Sequence, residues 1–145
     1  MTDLNFEDII GRYFNLNLKK DNYRIYVEEA GQGTPLLCLH TAGSDGRQFR
    51  HILNDKRITN NYRVIVFDLP WHGKSNPPEG YELKDYKLTT NLYKEIIMSF
   101  CKQYKLIDPV IMGCSMGGRV VLHLALEHCD SVSYTHLRAH ETVSH

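Results

Sequence analysis

The chain has 145 residues, 42% hydrophobic and 23% charged, the balance of one ordinary globular domain rather than of a disordered segment. Lysine plus arginine and aspartate plus glutamate both number 17, so no net field exists to draw in nucleic acid or an anionic membrane, and neither partner is expected. The start, Met-Thr-Asp-Leu-Asn-Phe-Glu, lacks a basic and then apolar leader, and no run is long enough to span a membrane, which predicts a cytoplasmic protein. Cys38, Cys101, Cys114 and Cys129 lie far apart without a CxxC pair, as small buried side chains do and as zinc or disulfide scaffolds do not.

Residues 13–18 and 23–29 alternate well enough to form a hairpin around Lys20-Asp21-Asn22. Residues 35–40 and 63–68 are instead continuous apolar runs, the pattern of strands covered on both faces. Between them Phe49, Ile52 and Leu53 predict a short amphipathic helix. The stretch 70–85, with Pro77-Pro78 and Gly80, reads as a long loop at a site edge. Residues 89–105 place Leu92, Ile96, Ile97, Phe100 and Tyr104 at helical spacing, and 109–113 give another buried strand. Hairpin, β, α, β, loop, α, β, α is the order of an α/β domain with a mostly parallel sheet.

The last strand runs into Gly113-Cys114-Ser115-Met116-Gly117-Gly118 and then a helix with Val120, Val121 and Leu124 facing inward. A strand-to-helix corner of this kind holds the serine backbone in a strained conformation, and side chains two positions before and after it would collide where strand and helix nearly touch. Gly113 and Gly117 remove those side chains. The turn lifts Ser115 Oγ above the sheet and leaves the Met116 N–H at the helix start free to face an oxyanion. Serine becomes a nucleophile in such a place only with a base nearby.

These residues resemble the α/β-hydrolase superfamily, the large esterase, lipase and C–C hydrolase group, over about residues 10–130, the N-terminal half of a typical member. Gly113-Cys114-Ser115-Met116-Gly117 matches the family's GxSxG, which implies Ser115 as nucleophile and Met116 as one oxyanion-hole amide. Leu39-His40-Thr41-Ala42-Gly43 stands where the family has His-Gly-x after its third strand, implying Ala42 as the second donor; Thr41 replaces the usual glycine and is the alternative donor. Asp68-Leu69-Pro70-Trp71-His72-Gly73-Lys74-Ser75 resembles the aspartate-initiated Gly-x-Gly-x-Ser segment after the fourth strand, with Trp71 where the first glycine is common; in relatives that loop shapes the turn near the site and seldom does chemistry.

Other candidates read differently. Gly73-Lys74-Ser75 resembles the end of a phosphate loop, but Asp68 stands where that motif needs its first glycine. His123 lies two turns beyond Ser115, about 12 Å along a helix at 1.5 Å per residue, too far to deprotonate it. His40 and His72 are expected to steady loops by hydrogen bonding. Trp71, Tyr81 and Tyr86 are candidates to line an acyl pocket, and loop packing explains them equally well. His136, His140 and Glu141 have one residue too many for HExxH, so neither metal nor cofactor is expected. The segment Ser133-Tyr134-Thr135-His136-Leu137-Arg138-Ala139-His140-Glu141-Thr142 resembles translated sequencing-adapter DNA, which sets residues 131–145 apart as a non-native tail and 1–130 as the N-terminal part of the domain.

In hydrolases of this type the acid and the histidine follow the serine in the chain. Only 30 residues follow Ser115 here, so the chain is expected to be inactive as it stands and its intact form to be a serine hydrolase. That form is expected to act on a small ester, thioester, amide or C–C substrate. Alternatives are a lyase or perhydrolase using the same serine, or a non-catalytic binding module on this scaffold; an aspartate nucleophile is disfavoured by Ser115. Without a further strand, Val110, Ile111 and Met112 are expected to present an unpaired apolar edge and the isolated chain to be aggregated or molten.

Overall fold

Alternation in the first third of the chain builds the antiparallel side of the sheet. The computed structural model describes residues 3–127 and 134–137. Strands β1 (Ile10–Leu18) and β2 (Asp21–Ala30) form the hairpin, with Leu16 opposite Tyr23 and Lys19 in the left-handed region at φ 54°. Both strands run past their predicted limits, because their outer residues pair through the backbone where the side chains no longer alternate.

The apolar runs become β3 (Thr34–Leu39) and β4 (Tyr62–Phe67), joined by a 3₁₀ turn at Gly46–Phe49 and two one-turn helices, α1 (Arg50–Leu53) and α2 (Lys56–Thr59). Helix α3 (Thr90–Gln103) begins where Thr89 Oγ1 accepts the Leu92 N–H, and it is followed by β5 (Val110–Gly113) and α4 (Met116–Glu127). With β6 (Tyr134–Leu137) the strands stand in the order β1-β2-β4-β3-β5-β6. β2 pairs antiparallel with β4, and β4, β3, β5 and β6 are parallel. The α/β architecture and mostly parallel sheet expected from the sequence are those observed.

Successive residues of β3 and β4 point to opposite faces, and both faces are covered. Leu37, Leu39, Ile65, Phe67 and Ile111 pack with Tyr93, Ile96, Ile97 and Phe100 of α3 and Val120, Val121 and Leu124 of α4. Leu36, Cys38, Val64 and Val66 pack with Phe49 and Leu53 on the other side. Cys38 is buried, Cys101 and Cys114 are half-buried, and all three are free thiols; Cys129 lies outside the described residues. None of the described helices is long and apolar enough to cross a membrane.

The expectation of an unpaired edge on β5 is corrected. Val110 to Gly113 pair in parallel with Tyr134 to Leu137, one for one. An exposed row of backbone donors and acceptors recruits any segment of suitable propensity that the connection can bring alongside, and Tyr and Thr are such residues.

Candidate active site

The parallel strands end together. Leu39 stands opposite Gly113 and Cys38 opposite Val66, so the loops that leave β3, β4 and β5 emerge side by side at the carboxyl edge of the sheet, where open α/β sheets bind ligands. Ser115, Thr41, Ala42, Trp71 and His72 all lie on these loops.

Ser115 is exposed, and its backbone sits at φ +53°, a region costly for a residue with a Cβ. The flanking glycines explain how the corner closes. A Cβ on Gly113 would lie 2.4 Å from the carbonyl carbon of Gly117, and one on Gly117 would lie 2.4 Å from the Leu39 carbonyl oxygen. The first clash is the strand-to-helix contact foreseen from the sequence. The second is with β3, so Gly117 lets α4 approach the neighbouring strand rather than its own. The turn is tied to β3 by the Cys114 N–H donating to Leu39 O at 3.2 Å. Met116 opens α4, and as a first-turn residue its N–H has no acceptor within the helix. The Ser115 hydroxyl makes no hydrogen bond to another described residue.

On the β3 loop the amides divide. The Thr41 N–H donates to Gln48 Oε1 at 3.1 Å, the Gly43 N–H to His72 Nε2 at 3.2 Å and the Ser44 N–H to Thr41 O at 3.2 Å. Among residues 41–44 the Ala42 N–H is the one that meets no described acceptor.

Both histidines are fixed by backbone groups. His40 is fully buried; its Nδ1 lies 2.7 Å from Thr41 O and its Nε2 accepts the Leu69 N–H at 3.0 Å. Because Thr41 O can only accept, the proton must sit on Nδ1. Burial, the largest influence, pulls the His40 pKa below its ordinary value and keeps the ring neutral. His72 repeats the pattern, with Nδ1 donating to Pro70 O at 2.8 Å and Nε2 accepting from Gly43. Each ring thus joins two loop backbone groups. His123 is half-exposed on α4, 3.9 Å from Glu127.

Three anchors escaped the sequence reading. Tyr93 of α3, fully buried, donates its hydroxyl to His40 O at 2.8 Å. Gln48 occupies the Thr41 amide. The carboxylate of Asp68, buried at the end of β4, accepts the Gly46 N–H at 2.7 Å on one oxygen and the Lys74 N–H at 2.8 Å on the other, joining the β3 and β4 loops. Ser75 Oγ donates to Asp68 O at 2.6 Å and accepts the Tyr26 N–H at 2.9 Å.

Trp71 is the anomaly. The His72 N–H donates to Leu69 O at 3.0 Å, which makes 69–72 a turn with Pro70 second and Trp71 third, and Trp71 has φ +69°. A type II turn wants glycine at that third position. Holding a tryptophan there costs on the order of 1–3 kcal/mol, and its indole N–H is buried without a partner among the described residues, as is the hydroxyl of Tyr86, onto which it stacks at 5.0 Å. Each such orphan costs a further 1–3 kcal/mol or so.

No group of three or more His, Cys, Asp or Glu among the described residues could hold a metal ion. Residues 34–139 match the α/β hydrolase fold family model. This chain belongs to that family. Over 95 residues, 66% of its length, the chain is 33% identical to the magnesium-chelatase 30 kDa subunit of Rhodobacter capsulatus. It is 28% identical over 109 residues, or 75% of its length, to the pimeloyl-[acyl-carrier protein] methyl ester esterase of Vibrio vulnificus. The alignments cover 31% and 38% of those two proteins, so the chain spans about a third of the length of these relatives. Its fold superposes on an N-acyl homoserine lactonase, AidH, with a TM-score of 0.70 and 28% identity, over 87% of this chain and 44% of the other.

Proposed function

We propose that Ser115 is the nucleophile of a serine hydrolase acting on small acyl substrates, with esters and lactones foremost and thioesters, amides and C–C substrates of the same carbonyl chemistry. The observation that carries this reading is the positive φ of Ser115 between two glycines whose Cβ atoms have no room. Strain of this kind is kept where the site it creates is used.

In the first step Ser115 Oγ attacks the acyl carbonyl carbon and its proton passes to a base. The new alkoxide is held by the N–H groups of Met116 and Ala42, each worth on the order of 3 kcal/mol in the transition state. Expulsion of the alcohol, taking the proton from the base, leaves an acyl-serine that water hydrolyses by the reverse sequence. His40 and His72 spend both ring nitrogens on the backbone, and the chain order Ser, acid, His assigns the base to a histidine outside the described residues. The esterase and lactonase relatives, which by name act on a methyl ester and an acyl homoserine lactone, favour acyl-oxygen cleavage.

The test is labelling of the full-length protein by a fluorophosphonate probe. Covalent modification that disappears in Ser115→Ala supports the reading. A protein that ignores the probe, or reacts equally after the substitution, refutes it.

A further inference from the structure

The Trp71–Tyr86 stack carries more than packing requires. The two rings lie 5.0 Å apart and nearly parallel, at 25°, and Tyr81 meets the indole edge-on at 5.2 Å. Both rings end in a donor, and both donors are buried and meet no acceptor among the described residues. Orphaned buried donors in a native fold call for a partner that is sometimes present. They are placed beside the proposed chemistry: His72, next in the chain to Trp71, packs against Tyr86 at 6.4 Å and takes the Gly43 N–H, one residue from the free amide of Ala42.

The strain at Trp71 gives a second, independent reason. Glycine would relieve the turn and remove the orphan at once, yet the chain keeps an indole there, and it is the only tryptophan among the 145 residues.

We propose that the indole N–H of Trp71 and the hydroxyl of Tyr86 form a two-donor subsite for a neutral oxygen acceptor, a ketone, ester or amide carbonyl, carried on the acyl chain of the substrate. The proposal rests on the serine hydrolase reading for its substrate and deepens it. No cation or carboxylate of the described residues hydrogen-bonds or stacks on either donor group, so the site is suited to an uncharged acceptor, not to a carboxylate. Burial pushes the Tyr86 hydroxyl up to about 12, which keeps it a donor at any physiological pH.

The experiment is calorimetric binding to the full-length protein carrying Ser115→Ala, so that no turnover intervenes. The probes are methyl heptanoate and its 4-, 5- and 6-oxo derivatives, equal in chain length and differing by one ketone. At least one oxo ester is expected to bind ten-fold or more tighter than methyl heptanoate, and that preference is expected to shrink to less than three-fold in Trp71→Phe and in Tyr86→Phe. Tyr86→Phe keeps the ring and deletes only the donor, whereas Trp71→Phe deletes the donor and exchanges the indole for a smaller ring that can still stack on Tyr86. Equal affinity for all four esters overturns the subsite, and so does a preference that survives both substitutions, even if the variants melt at higher temperature. Failure of Ser115 to label with fluorophosphonate sinks the hydrolase reading and leaves this binding comparison measurable in its own right.

Discussion

The Nε2 of His40 accepts the Leu69 N–H across the carboxyl edge of the sheet, linking the loop after β3 to the loop after β4 through one buried ring. The link works only with a neutral imidazole, since a protonated Nε2 would point a hydrogen at the amide.

This sets a pH dependence. The folded pKa of His40 lies below its ordinary value of 6.5, so the folded state takes up fewer protons than the unfolded state just under that pH. The resulting stability is complete above 6.5 and declines as pH falls toward the lowered folded value. Denaturant titrations at intervals from pH 8 to 5 are expected to show that decline in the wild type. His40→Gln, which retains an acceptor, should be less stable by about 1–3 kcal/mol at pH 8. The gap between the two should narrow on acidification, and a constant gap would contradict the assignment.

The glycines of the corner and of the β3 loop differ in what they relieve, and substitution to alanine separates the cases. Gly113→Ala and Gly117→Ala drive a methyl group to 2.4 Å from backbone atoms that cannot rotate away. Each is expected to cost more than about 2 kcal/mol. Gly43, with φ +74° and no atom within 4 Å of its would-be Cβ, is strained by conformation alone. Its alanine variant should lose about 1 kcal/mol. Chemical denaturation of the three variants side by side provides the ranking.

The division of amides on the β3 loop can be probed by replacing single peptide N–H groups with ester oxygens through incorporation of the α-hydroxy acid. At Ala42 the change should lower kcat by about 10²–10³-fold with little effect on folding, as loss of an oxyanion donor does. At Thr41 it should cost about 1 kcal/mol of stability through the Gln48 bond and change kcat only a few-fold. The reverse pattern would move the donor role to Thr41.

The β6 pairing gives a solution test. Removal of residues 131–145 exposes the edge of Val110–Gly113, and the shortened chain is expected to associate more strongly in light scattering at equal concentration than the parent.

The parts of the fold that the residues reveal are those with one physical explanation. Leu36 to Leu39 and Val64 to Phe67 are apolar at every position because both faces are covered, and glycines two before and two after a serine leave few alternatives to a tight corner. Tyr93 is different: a tyrosine at core spacing on a helix looks the same whether its hydroxyl is idle or bonded to a carbonyl 53 residues away. Gln48 is a polar residue like many others until the loop folds it back on Thr41. The Asp68 carboxylate was visible as the head of a motif, but that its two oxygens bind two different loops is a property of the sheet order, which no local pattern encodes. The β6 register is hidden for another reason: the residues around Tyr134 to Leu137 resemble a translated adapter, and nothing local marks them as a partner for β5.

The clamp at Asp68 also divides the molecule's freedom to change. Its carboxylate holds Gly46 and Lys74, and its carbonyl holds Ser75, so everything from the end of β3 to residue 75 moves as one block with the core. Beyond that point, from Pro77 to the cap of α3 at Thr89, the chain carries mostly exposed residues and a single short turn. Insertions and sequence drift can therefore accumulate in that segment, reshaping what the protein admits, while the amide geometry on the other side of the clamp is inherited unchanged.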